Sequence, residues 1–212
     1  MVAKSRIRSR RGVTTAHSGY AAGMVQENGQ RNVQANVQPN IDDIPTAAEL
    51  VGQVTAQHGM IHAAFHAAKA GSGEAKQRAI RRLLLLLAMH EAAEQLTIHP
   101  ALAHAGGGPV GVGDDRMAEE RQSVQLVERL QMFDQGSYEF NMQFALLEEA
   151  VTHHAKSEEA SELPLFGDLD ATERLTIGQA LRAVAEAVDG DCPIEYDDFS
   201  AMVRNSRAWL AG

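Results

Sequence analysis

LLLLLAMHEAAEQLTIHP, residues 83–100, is the stretch around which this chain is organised. Five consecutive leucines, Leu83 to Leu87, put apolar side chains around the whole circumference of a helix, so the segment is expected to be buried on most sides. The same segment then carries His90 and Glu94. Four residues apart in a helix, they stack on one face with Cβ atoms roughly 6 Å apart, continuing the line from Leu83 and Leu87 that leaves at Ile98. A carboxylate and an imidazole aimed at a core need a partner, because an unpaired buried charge costs several kcal/mol. A metal ion is one such partner; a hydrogen bond where the stripe meets solvent is the other.

Working outward, a helix is expected from near Pro45 to about Lys69, after Asp43. Val51, Val54, Ile61, Phe65 and Ala68 follow helical spacing, and His58 falls inside that stripe. His62 and His66 follow one and two turns later, nearer its edge. Gly71-Ser72-Gly73 makes a turn into the leucine helix, read as Glu74 to Ile98 with Pro100 as its stop. Residues 105–113 read as a glycine-rich loop. It lacks a following Gly-Lys-Ser/Thr and a preceding strand, which excludes a nucleotide phosphate loop. Asp114 and Asp115 suit the cap of a third helix with the stripe Met117, Glu120, Val124, Val127 and Leu130 or Gln131, so Glu120 points inward beside Arg121.

The fourth helix, after Asp134-Gln135-Gly136-Ser137, is the most regular. Phe140, Phe144, Leu147, Val151, His154 and Glu158 form one α-helical face, apolar until it turns into a histidine and a glutamate. His153 and Glu159 lie about a quarter turn away. Asp170 and Glu173 form a capping box for a fifth helix through Leu175, Ile177, Leu181, Val184 and Val188, and a short helix near Phe199–Leu210 is anchored by Trp209. The expected fold is therefore all-α, an up-down-up-down four-helix bundle with an additional C-terminal helix. Its units are a basic disordered arm (1–42), the bundle (43–190) and a tail (191–212). Alternate helices bring His58, His90/Glu94 and His154/Glu158 towards one centre.

Composition narrows the chemistry. The chain has 212 residues, 44% hydrophobic and 5% aromatic, enough for one sizeable helical core. Its single Cys192 leaves no internal disulfide and no multi-cysteine zinc site, so metal chemistry must use histidine and carboxylate. Such donors suit iron and manganese. Residues 1–40 hold six of the 19 basic residues and one of the 28 acids, so the body is strongly acidic and unsuited to nucleic acid. No apolar run approaches the roughly 20 residues of a membrane span, and the first 25 residues lack the apolar centre of a signal peptide, so no membrane is expected and the location expected is cytoplasmic.

The chain resembles the hemerythrin-like proteins with an HHE cation-binding domain. The matching stretches are TAQH ending at His58, LLLLLAMHEAAEQLTIHP with His90, Glu94 and His99, RMAEER at 116–121, and HAKSEE at 154–159 followed by Pro164. The resemblance implies non-haem iron in the bundle core, one or two ions per chain, with His58, His90 and His154 as nitrogen ligands and Glu94 and Glu158 as bridging carboxylates. It implies a peroxide or small diatomic ligand, and it makes a homodimer a candidate assembly. His99 also occurs in the resembling sequences. One departure stands out: the family's third-helix glutamate-glutamate-histidine is Glu119-Glu120-Arg121 here, and an arginine stays protonated and cannot ligate. Glu120 or His62 is then the expected replacement, and reversible oxygen carriage is disfavoured. Sensing or detoxifying peroxide, nitric oxide or dioxygen is the expected role; as an enzyme the protein would be a catalase-like or nitric-oxide-related oxidoreductase. A metal-free bundle serving as an interaction module is the alternative, with Arg121 as the neutralising cation. A zinc hydrolase is excluded because the second histidine of HExxH is Glu94 here.

Overall fold

A computed structural model describes residues 43–105, 112–189 and 199–211, and every regular element among them is helical. The arm and most of the glycine-rich loop lie outside the described residues. Helix α1 spans Ala47–Ala70. It begins after Thr46, whose hydroxyl accepts the Glu49 N–H at 3.2 Å while the Glu49 carboxylate accepts the Thr46 N–H at 2.7 Å. This reciprocal capping box sets the start, so Pro45 precedes the cap instead of opening the helix. Pro45 is used differently: a Cβ on Gly178 would meet its Cγ at 2.8 Å, so glycine there lets the two segments close together.

Helix α2 covers Gly73–Ala93, Glu94–Ile98 form a π turn, and α3 runs His99–Ala105. The expected stop at Ile98 does not occur. The π turn pairs the His99 N–H with the Glu94 carbonyl, and Pro100 falls directly after it, in the first turn of α3. Helix α4 is Val112–Leu130 and α5 is Tyr138–Ser161, capped by the Ser137 hydroxyl on the Phe140 N–H. Because α4 begins at Val112, Asp114 and Asp115 lie in its first turn and not ahead of it. Leu130 is buried and Gln131 exposed. A 3-10 turn at Leu163–Asp168 leads to α6, Ala171–Asp189, which opens with the Asp170/Glu173 box, and α7 is Phe199–Leu210.

Helices α1, α2, α4 and α5 make the bundle, while α6 and α7 pack on α2. With α1, they give α2 cover on several sides. Leu83, Leu84, Leu86 and Leu87 are buried and Leu85 partly so, and burial is unbroken from Leu86 to Glu94. Trp209 is not the anchor of α7, being 41% exposed. Phe199, Met202, Val203 and Ser206, at helical spacing, form the buried face instead. Phe199, Met202 and Val203 belong to the same apolar cluster as Leu83 and Phe140.

The apolar interior is divided in two. One cluster gathers Ile61, Phe65, Leu87, Phe144 and Val151; the other gathers Val54, Ile98, Leu163, Phe166 and Leu181. His58 lies between Val54 and Ile61 in α1, His90 and Glu94 between Leu87 and Ile98, and His154 and Glu158 between Val151 and Leu163. A polar layer thus crosses the core at one level. No helix among the described residues is long and apolar enough to cross a membrane.

Candidate metal centre

Three helices bring imidazoles to this layer. His58 from α1 and His90 from α2 meet edge to face with ring centroids 5.0 Å apart. His58 Nε2 lies 3.0 Å from Glu158 Oε2, and His90 Nε2 lies 2.8 Å from Glu94 Oε1. His154 Nε2, from α5, is 3.7 Å from the other oxygen of Glu94. All three Nε2 atoms and all four oxygens of Glu94 and Glu158 are buried without a hydrogen-bond partner. Close approach without hydrogen bonding means that lone pairs face a common point.

The opposite edge of each ring explains why. His58 Nδ1 donates to Glu159 Oε1 at 2.8 Å, His154 Nδ1 to Glu119 Oε2 at 3.1 Å, and His90 Nδ1 to Gln57 Oε1 at 2.9 Å. The Gln57 amide nitrogen donates to the Leu181 carbonyl at 3.0 Å, which leaves its oxygen for His90. Each acceptor fixes the proton on Nδ1, so the neutral ring presents the lone pair of Nε2 inward. Glu159, about a quarter turn from the inward face of α5, thus orients His58 across the bundle. Glu91 is buried with Oε2 unpartnered. Gln57 and Glu119 were not singled out by sequence, since next to a core position each reads as an ordinary surface residue.

One donor atom each from His58, His90, Glu94 and Glu158 lies within 4.8 Å of the others. Ligands on opposite sides of one ion at about 2.0–2.2 Å stand about 4.4 Å apart, so the set fits a single cation with slight adjustment. A second group, Glu94, His99 and Glu120, meets the same limit and shares Glu94. His62 is half-buried on the wall of an adjoining cavity and belongs to neither group. His153 is 71% exposed. Arg121 is exposed on α4, so it is not the cation that balances these acids, contrary to the expectation that it neutralises them in place of metal.

The charge balance calls for a cation. Glu91, Glu94, Glu120, Glu158 and Glu162 are buried, and no lysine or arginine among the described residues is. Without metal, protons fill the role. Burial opposes charge on His154, yet Glu94, Glu158 and Glu119 pull its pKa up to about 10. His58 is raised the same way, against burial, by Glu158, Glu159 and Glu94. Burial and then repulsion from Glu94 push Glu120 up to about 7, against the hydrogen bond from Gln95. Burial raises Glu158 too, with Glu94 adding to it. Glu94, despite burial, is held well below the carboxylate range by His90 and His154.

Residues 49–166, which contain this layer, match a known family model, the hemerythrin HHE cation binding domain. The chain belongs to the hemerythrin family. No curated protein and no solved structure matches it. The family is a cation-binding one, and this hemerythrin bundle gathers buried imidazoles and carboxylates from α1, α2, the π turn, α4 and α5, with His99 of α3 beside them.

Proposed function

We propose that this hemerythrin-family bundle holds iron in its core and acts there on a small oxidant or diatomic molecule, with peroxide and nitric oxide favoured over oxygen transport. The observation that carries this reading is the convergence of three Nε2 lone pairs on Glu94 and Glu158, each ring locked from behind by Gln57, Glu119 or Glu159. His58, His90, Glu94, Glu158, His154 and Glu120 are the ligands in this reading, with His62 at the wall of the approach. Bound iron supplies the one-electron redox chemistry that no side chain offers.

The chain's own residues set the rest. A cavity of about 20 Å³ adjoins His58, His90 and His154 and is lined by Ile61, Leu87 and Val151. That is room for a water-sized molecule, which suits a small guest such as a diatomic or a peroxide. Glu91 lines the same cavity, and burial, reinforced by Glu120 and Glu94, raises its pKa well above the carboxylate range. So raised, the carboxyl favours its protonated form, and it stands where it could give a proton to a guest in the cavity. The two apolar clusters keep bulk water from the layer.

The test is iron per chain after anaerobic loading, followed by peroxide and nitric oxide turnover. Iron retention with peroxide consumption that drops in Glu91→Gln supports the reading. An iron content unchanged by Glu94→Ala and His154→Ala would refute the ligand set.

A further inference from the structure

We infer that the end of the bundle away from the histidine layer binds a small organic acid, in an apolar groove between α2 and the α4–α5 turn where Arg81 takes the carboxylate. Such a site works with or without metal in the core.

Between the end of α4 at Leu130 and the start of α5 at Tyr138, the chain leaves a gap against α2. The gap is a groove of about 350 Å³, against about 20 Å³ for the cavity beside the histidines. Ile80 and Leu84 of α2, with Leu130 and Phe140, form its floor, and all four are buried members of the larger apolar cluster. Phe133, 37% exposed, is a wall. Ile80 and Leu84 precede His90 by ten and six residues, about 15 and 9 Å along the helix, so a guest here is clear of the histidine layer. The turn that bounds the groove is fixed by its own backbone. The N–H groups of Met132 and Phe133 donate to the carbonyls of Arg129 and Leu130 at 3.1 and 3.3 Å, and that of Ser137 to the Asp134 carbonyl at 2.8 Å. A preformed groove spends little of its binding energy on ordering itself.

The polar lining selects the guest. Arg81 lines the groove, is exposed, and has no ion-pair or hydrogen-bond partner among the described residues. Its neighbours Arg78 and Arg82 pair with Glu74 and Asp189. Asp134 and Glu139, on the facing segment, are exposed and form no ion pair with it. Lys76, one turn before Ile80, adds a second positive charge, its Nζ 5.3 Å from the centre of the Phe140 ring. On a chain of net charge −9, the groove therefore has a locally positive edge. Gln135 also lines it, and its Oε1 is buried without a partner, a polar contact open to a ligand.

A guanidinium forks onto a carboxylate through two parallel N–H···O bonds, and apolar walls take a hydrocarbon body. One free arginine balances one negative charge, which favours a carboxylate over a doubly charged phosphate ester. At about 30 Å³ per water-sized group, the groove has room for about a dozen non-hydrogen atoms. That is the size of a medium-chain fatty acid or an aryl carboxylate.

The experiment titrates full-length protein with octanoate by calorimetry, before and after anaerobic iron loading, with acetate and 1-octanol as controls. Wild-type protein is expected to bind octanoate saturably in both forms, octanol more weakly and acetate not measurably. Arg81→Gln should weaken octanoate about tenfold or more and leave octanol unchanged. Arg82→Gln, which removes the same charge from a paired arginine, should leave octanoate unchanged. Phe133→Asp, at a wall position already partly in solvent, should abolish binding of both. No saturable octanoate binding by wild type, full binding by Phe133→Asp, or an equal loss in Arg82→Gln and Arg81→Gln would overturn the site. Equal affinity for octanol and octanoate would overturn the recognition of a carboxylate by Arg81.

Discussion

At the residue scale, the histidines differ from ordinary buried ones in what holds their backs. Removing an acceptor behind a ligating ring typically costs about 10–100-fold in metal affinity. Gln57→Leu should show a loss of that order in a competition titration with a chelator, with helical content unchanged; unaltered affinity would mean that the amide does not orient His90. Protonation gives a second prediction. His154 and Glu120 have folded pKa values of about 10 and about 7, above their ordinary values of 6.5 and 4.5. The stability His154 contributes is fully present below 6.5 and is lost as pH rises through about 10; for Glu120 the loss runs from 4.5 through about 7. Glu94, whose pKa is lowered, acts in the opposite sense and loses its contribution only as pH falls below 4.5. Metal-free protein should therefore melt at progressively lower temperature between pH 6 and pH 10. Metal must displace the same protons, so apparent affinity should rise over that range. Calorimetry in buffers of different ionisation enthalpy would detect the protons released, and a pH-independent affinity would contradict the assignment.

At the scale of elements, α1 and α7 are the instructive pair. The Thr46/Glu49 box closes the start of α1, and Thr46→Ala should cost about 1 kcal/mol in chemical denaturation without affecting metal content, since His58 lies three turns away. Helix α7 is short, but its Phe199, Met202 and Val203 share the core of the leucine helix. Met202→Ala is a large-to-small change at a fully buried site and should cost about 2–5 kcal/mol. Trp209→Ala, on the exposed side, should cost far less. Equal effects in urea melts would mean that α7 is held by its tryptophan after all. The sequence suggested the reverse order because tryptophan is the bulkiest apolar residue in the segment. The spacing of Phe199, Met202, Val203 and Ser206 was the better guide.

At the scale of the whole molecule, a bundle that crosses its own core with buried carboxylates is stabilised by whatever cation neutralises them. A ligand present at about 100 times its dissociation constant adds about 2.7 kcal/mol. Chelator-treated protein should melt earlier than iron-loaded protein, and an unchanged midpoint would show that the core does not need metal. Much of this layout is legible in the chain alone. The face from Phe140 to Glu158 is written in steps of three and four, and each of its members is buried where that period puts it. His58, His90 and Glu94 likewise follow from stripes, because helical periodicity is a local property that one sequence carries in full. Other features depend on what stands opposite. Glu120 follows from the stripe of its helix, but only the seating of α4 decided that its neighbour Arg121 meets solvent and does not turn towards the buried acids. The partners of each Nδ1, Gln57 among them, were chosen by how the helices meet, since a hydrogen bond between helices has no spacing signature. His99 stands five residues from Glu94, a separation no α-helical face uses. The sequence determined the helices and their inward residues; tertiary packing determined the π turn, the direction of each lone pair and hence where a cation would sit, because those depend on distances between segments far apart in the chain.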